Sequence, residues 1–408
     1  MMSNTSIYDM LWDESIWFPV RFHHEDGSVD TALGWSHLVN KPGTNTYYPK
    51  VHDLHFGILV GVVLVIIRYV LETLLIIPLG YKLGIKKKKL VYVDPIPSLE
   101  EVYKTKKKPD DKQCMGLSKQ LDMPLRQVQV WFRNKRNNDL TPPIKKFCDN
   151  AWPFLFYTCS FIYGATILWK KSWIWRTKDC WTNWPKQHVT SDLYWYYTVE
   201  LGFYCSLLFT IFTDHKRKDF KEMTMHHLAT ISLLYFSWLV NFVRMGSFVL
   251  IIHDIADPWL SLAKMGIYLK WDWLKDGAFG IFAILWFITR TFVYPGWIIY
   301  STAIEIFHFI DEPFFVYYFF NAFLLILQVL SLLWSWSIGK IIYNTLFAGG
   351  VEDTRSDTEE GDSLSSNGDL TKNGKTNGVD GSVTSADTNG HVNGANATSK
   401  VSNNGLIS

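Results

Sequence analysis

Cysteine is scarce, and what there is stands alone: Cys114, Cys148, Cys159, Cys180 and Cys205 include no C-x-x-C pair. That pattern excludes a disulfide framework and a cysteine-built zinc site. Clustered histidine is equally thin. Only His226, His227, His253 and His308 lie in or beside the later apolar runs, with no HxxxH or HxxHH spacing, too few ligands for the metal site of a di-iron hydroxylase or desaturase. No metal is expected. A cleaved signal peptide is not evident. Aromatic residues almost vanish beyond residue 349, where Gly, Asn, Ser, Thr and Asp dominate. Such a stretch buries too little apolar area to offset its chain entropy, so 349–408 is expected to be a disordered tail. Within it, Ser356 and Thr358 sit among acidic residues, a context that acidophilic kinases favour.

What is abundant is apolar and aromatic: 48% of the residues are hydrophobic and 16% aromatic. Mean hydropathy is nevertheless only +0.03, so an apolar middle is averaging with polar flanks. Runs long enough to cross a hydrocarbon core of about 30 Å fall near 57–80, 152–169, 193–213, 223–243, 247–264, 277–294 and 315–339. Seven spans are predicted. The segment YPGWIIYSTAIEIFHFIDEPFF, between the last two runs, reads as a luminal loop or half-buried helix; were it to span, the count would be eight. Lysines at 82 and 86–89 follow the first span at once, which puts them in the cytosol and residues 1–56 outside. The 214–222 loop, DHKRKDFKE, agrees with this orientation. The basic 170–192 loop runs against it. Asn4-Thr5-Ser6 is a weak glycosylation sequon on the outer side. Arg68 and Glu72 lie four apart in the first span, where they can pair on one helix face.

Ionisable groups inside such runs are costly, so function is their default reading. At 100° per residue, His226, Thr230, Ser237, Asn241 and Arg244 fall within about 60° of one another. In the next run His253, Asp257, Ser261 and Lys264 share a face, with Asp254 beside it. Two polar stripes on adjacent helices imply an internal hydrated cavity. Intramembrane polar residues often only bind helices together, but paired histidines with further Asp and Arg go beyond that need. Imidazole can deprotonate an amine or accept an acyl group, and a carboxylate can orient it. His226, His227, His253 and Asp254 are the catalytic candidates, with Arg244, Asn241, Asp257, Ser237 and Thr230 supporting the cavity.

The ordered run from Lys216-Arg217-Lys218-Asp219-Phe220-Lys221-Glu222 through His226-His227, Asn241, Arg244 and His253-Asp254 to Asp257 and Ala263-Lys264 resembles the Lag1 motif of the ceramide synthases. Trp195-Tyr196-Tyr197, Glu200, Ile288-Thr289-Arg290, Tyr317–Asn321 and VEDTRSD extend the resemblance to roughly residues 1–360. It implies a TLC-type domain over 148–343 in a multi-pass endoplasmic reticulum protein. It also implies transfer of a fatty acyl group from acyl-CoA to the amine of sphinganine or sphingosine, with no metal or other cofactor. One of His226 and His227 would take the acyl group or activate the amine, and His253 with Asp254 would support proton transfer. Lys216, Arg217 and Lys218, just before the histidines, are candidates for the CoA phosphates, although ordinary positive-inside topology also explains them. The family allows homo- or heterodimers. No GxxxG face in the spans independently demands association.

A second motif lies between the first two spans. In LSKQLDMPLRQVQVWFRNKRNND, the residues Trp131, Phe132, Asn134 and Arg136 form the W-F-x-N-x-R pattern of a homeodomain recognition helix. The place of a first helix holds prolines at 95, 97 and 109, with only Leu99, Val102 and Tyr103 to pack. A truncated homeodomain-like segment over 90–147 is therefore expected. From 82 to 147 there are 17 Lys or Arg against 7 Asp or Glu, which attracts an anionic cytosolic membrane face or nucleic acid. Tethering at the bilayer favours the membrane over DNA at the nuclear envelope. The fold class predicted is all-α: a polytopic bundle with a small helical segment and a tail. The competing function is a membrane-anchored homeodomain-like transcriptional regulator or lipid sensor with inert histidines.

Overall fold

The computed structural model describes residues 11–212 and 219–348; Asn4, Lys216, Arg217, Lys218 and the tail from 349 lie outside the described residues. Helices account for most of it. α1 (Val51–Lys82) is followed by three short helices, α2 (Pro97–Thr105), α3 (Asp111–Gln120) and α4 (Leu125–Asp139). The bundle continues with α5 (Pro143–Leu168), α6 (Ser191–Thr210), α7 (Phe220–Leu239), α8 (Val243–Asp254) and α9 (Asp257–Leu269). α10 starts as Asp272–Trp286, widens into π-helical winding over Phe287–Ile299 and closes with Tyr300–Ala303. α11 is Phe315–Ala348. Between α10 and α11, Glu305–His308 makes one 3-10 turn. No eighth leg forms there.

Four helical runs, Val51–Lys82, Leu125–Leu168, Asp272–His308 and Phe315–Phe347, are long and apolar enough to cross a membrane. The other three expected spans correspond to α6, to α7 and to the broken pair α8–α9. These carry the buried polar residues Glu200, His227, Ser237, His253 and Asp254. Polar groups that lipid would not tolerate are thus enclosed by protein. The helix predicted over 247–264 is interrupted at Ile255–Ala256, with Pro258 in the first turn of α9, where its missing N–H costs no bond.

α1 and α6 approach closely at three glycines. A Cβ on Gly61 would stand 2.7 Å from the Gly202 carbonyl oxygen, and one on Gly202 would stand 2.9 Å from the Gly57 oxygen. Gly57 and Gly61 form a small-xxx-small face after all. It is used inside the chain.

One end of the bundle is closed by a cap made from residues 11–50, the loop between α5 and α6, and the turn after α10. β1 (Arg21–His23) pairs antiparallel with β2 (Val29–Thr31), and Phe22 bridges to Ile310. Phe22 stacks on Phe309 at 5.7 Å and leans on Trp184 at 5.5 Å. Lys186 and His24 both bind Asp30, at 2.8 and 3.0 Å, and the Lys186 bond first holds its carboxyl below the ordinary range.

The opposite, basic end carries α2–α4, the homeodomain-like segment. The place of its first helix, despite the prolines, does hold a helix, and the three together enclose Leu99, Tyr103, Leu117, Val128, Trp131 and Phe132. Pro97 sits in the first turn of α2, where it favours helix rather than breaking it. Leu99 and Tyr103, one turn apart, are both buried, and each such side chain contributes about 1.5–3 kcal/mol on burial. Asn134 is half-buried on α4, while Arg136 donates to the Lys107 carbonyl at 3.3 Å. The preceding arm lies along α4: Asn138 exchanges bonds of 3.1 and 2.6 Å with the Val91 backbone, and Lys88 donates to the Asn138 and Leu140 carbonyls. Residues 143–147 belong to α5 rather than to this segment.

Candidate active site

Two chambers enter the bundle and approach each other at the histidines. From the basic end a vestibule of about 1690 Å³ is lined by His226, His227, Asp257, Ser261, Lys264 and Arg290 among others. On the cap side a mainly apolar cavity of about 760 Å³ is lined by Thr230, Ser237, His253, Leu250, Leu324 and Leu327 among others. The stripe on α7 is therefore divided, with His226 in the vestibule and Thr230 and Ser237, further along, in the apolar cavity. Tyr204 stands at the boundary. It lines the apolar cavity, and its ring centroid is 6.3 Å from that of His226 and 6.0 Å from that of His227.

His253 sits in the last turn of α8. Its Nδ1 lies 2.8 Å from the Val249 carbonyl oxygen, one turn back. A carbonyl only accepts, so Nδ1 carries the hydrogen and Nε2 keeps its lone pair. Nε2 is buried and finds no hydrogen-bond partner among the described residues. Arg290 Nη2 donates to the His253 carbonyl oxygen at 2.6 Å and lies 3.8 Å from Asp257. Its guanidinium also stacks over Trp286 at 4.9 Å.

Asp254 does not touch His253. Neighbours on a helix point about 100° apart, and Asp254 faces α5 and α6 instead. Ser160 donates to Asp254 at 3.0 Å and also contacts Glu200, and Tyr196 donates to Asp254 at 3.4 Å. Both carboxyl groups are fully buried. Sequence reasoning missed Ser160 and Tyr204 altogether and gave Glu200 and Arg290 no role of their own.

Asn241 and Arg244 leave the predicted stripe. α7 ends at Leu239, and Asn241 turns the chain with φ 59°, a left-handed conformation Asn tolerates. Its Nδ2 binds the Pro185 and Gln187 carbonyls at 2.6 and 2.8 Å. Arg244 Nη1 donates to the Asp179 and Thr182 carbonyls, and its guanidinium stacks on Trp173 at 4.8 Å. Both brace the cap. Arg244→Ala is expected to lower stability by about 1–3 kcal/mol, read as a lower melting temperature in detergent; unchanged melting would contradict the bracing. Gly246 lies beside them because Tyr197 needs the room: a Cβ there would stand 1.5 Å from the tyrosine hydroxyl, which binds Ser237 at 2.9 Å. Among the described residues no three His, Cys, Asp or Glu side chains converge as a metal site would require.

Residues 146–340 match the TLC domain family, and residues 86–139 match the homeodomain family. Ceramide synthase 4 of Bos taurus is 39% identical over 362 residues, covering 88% of each chain. The chain belongs to the ceramide synthase family. Human ceramide synthase 5 is 38% identical, with 86% of this chain and 87% of the relative covered. Ceramide synthase hyl-2 of Caenorhabditis elegans is 28% identical, with 81% and 91% covered. In this family member the vestibule is not confined to the matched TLC segment. Arg68 of α1 lines it too, bound to Glu72 at 2.7 Å and to Asp149 at 3.2 Å.

Proposed function

We propose that this ceramide synthase family member transfers a fatty acyl group from acyl-CoA to the amine of sphinganine or sphingosine, with the two chambers as its substrate sites. The observation that carries the reading is their junction: an apolar cavity suited to a hydrocarbon chain approaches a polar vestibule beside His226, His227 and His253. The thioester carbon lies at that junction, with its chain toward the cap and CoA in the vestibule. The C–S bond breaks and a C–N bond forms; a histidine removes the amine proton, and the sulfur leaves as the thiol. One of His226 and His227 either activates the amine or carries the acyl group between the two substrates. His253 Nε2 receives or returns the proton from the other chamber, while the Ser160–Glu200–Asp254 cluster holds the α5–α6–α8 wall in place. Asp257 and Arg290 fix the base of the junction.

The protein is read as a multi-pass protein of the endoplasmic reticulum with the cap luminal and the basic end cytosolic, so that CoA enters and leaves on the cytosolic side. Lys146 and Lys264 on the vestibule wall, together with Lys216, Arg217 and Lys218, suit its phosphates. The homeodomain-like segment serves as a membrane-proximal module. Its α4 is engaged with its own arm, and the full-length chain is expected to show no sequence-dependent DNA binding in moderate salt. The acyltransferase reading is tested in membranes of cells lacking their own ceramide synthases, given sphinganine and a panel of acyl-CoAs. Dihydroceramide above the empty-vector level supports it, and none from a well-expressed chain removes it.

A further inference from the structure

One wall of the vestibule is a face of α9. Asp257, Ser261 and Lys264 recur along it at helical spacing, and all three line the vestibule. The face runs about 10 Å from Asp257 to Lys264, at 1.5 Å per residue. Its inner end is Asp257, beside the arginine that binds the His253 carbonyl. Its outer end is basic. An anionic ligand such as CoA accounts for the lysine but disfavours the carboxylate, and the inner end suits a cation.

The two inner side chains also keep hydrogen-bonding capacity that comparable groups nearby have used. Asp257 Oδ1 stands 3.8 Å from Arg290 Nη2, too far for a hydrogen bond, and 22% of the side chain is open. Asp149, also on the vestibule, is by contrast bound by Arg68 at 3.2 Å and by Lys145 at 2.9 Å. Helical hydroxyls elsewhere in the bundle turn back to the carbonyl four residues earlier, as Thr230, Thr289 and Ser335 do at 2.9, 2.7 and 2.8 Å. Ser261 is buried but makes no such bond among the described residues. A carboxylate with acceptor sites to fill and a hydroxyl one turn away fit a cation that carries a hydroxyl beside its charge.

We propose that Asp257 and Ser261 form the headgroup subsite for the sphingoid base, with Asp257 accepting from the ammonium and Ser261 reading the C1 hydroxyl. This rests on the acyltransferase reading of the vestibule. In the aminodiol head of the base, C1 is the end farthest from the hydrocarbon chain. Its hydroxyl therefore points outward along α9 once the nitrogen is held at the inner end. Ser261 lies one turn outward from Asp257, about 5.4 Å along the axis, where that hydroxyl arrives. A simple long-chain amine satisfies Asp257 alone. Ser261 is then the residue that separates a sphingoid base from other amphipathic amines in the same membrane.

The test uses the full chain in membranes at saturating acyl-CoA, with sphinganine and with its analogue lacking only the C1 hydroxyl, comparing the parent with Ser261→Ala, Ser261→Thr and Asp257→Asn. The parent should favour sphinganine in kcat/KM by about three- to tenfold, the worth of one hydrogen bond in a site that water also reaches. Ser261→Ala should abolish that preference by losing rate with sphinganine alone, and Ser261→Thr, which restores a hydroxyl, should recover it. A merely structural serine would affect both bases equally. Asp257→Asn should raise KM for both bases by about tenfold or more while KM for acyl-CoA holds. If Asp257→Asn yields no folded protein, the preference between the two bases decides the matter. A parent that does not distinguish the bases, a preference kept by Ser261→Ala, or base KM values unmoved in Asp257→Asn would overturn the assignment. A parent that acylates neither base with any donor would instead overturn the reading beneath it.

Discussion

His226→Ala and His227→Ala are each expected to lower dihydroceramide formation by about 10²–10⁴-fold, the range general acid–base groups contribute, with the variant proteins present at parental levels. The two rings lie 5.6 Å apart, both within 6.3 Å of Tyr204, and both line the vestibule. Their roles are separable by a single-turnover experiment with labelled acyl-CoA and no sphingoid base. If one histidine carries the acyl group, label remains on the parent chain, is lost in that variant and persists in the other. If neither does, no label is retained, and the pH dependence of the surviving activity identifies the base. Parental activity in both variants would move the chemistry to His253, which faces the other chamber.

The stripe containing these histidines was legible because intramembrane polarity is rare, but its extent was not. Wheel geometry assumes one unbroken helix, and the chain turns at Val240–Phe242, where the local sequence Val-Asn-Phe offers no breaker beyond an asparagine. Asn241 and Arg244 thereby pass from the cavity to the cap. The second break carried a readable signal, Pro258, which starts α9. Pro97 shows the same rule used the wrong way: taken as a reason against a helix, it marks the start of one. The Ser160–Glu200–Asp254 cluster was beyond reach for another reason. Its members are 40 and 94 residues apart, and only tertiary packing joins them. The division of the polar face between two chambers is likewise a property of the assembled bundle.

Arg290→Met is expected to be the most damaging change away from the histidines, because the break between α8 and α9 creates a need that this arginine meets. The last carbonyls of a helix have no intrahelical partner, and that of His253 is bound by Arg290 at 2.6 Å. The same guanidinium lies 3.8 Å from Asp257 and stacks on Trp286, and it is only 4% exposed. It is presented from the π-helical stretch of α10, a winding that recurs at functional sites. Methionine keeps much of the volume but leaves a buried carbonyl and a carboxyl group uncompensated. Removing one member of a buried ion pair costs about 3–5 kcal/mol, which for a chain of this size lowers the melting temperature by roughly 4–6 °C. Arg290→Lys should fall between, since an ammonium retains the charge but cannot span the carbonyl, the carboxylate and the indole face together. Activity should fall in the same order, because the arginine sets the height of the His253 backbone and so the position of Nε2 in the apolar cavity. A methionine variant melting within about 2 °C of the parent and retaining its activity would show that this junction is held by something else.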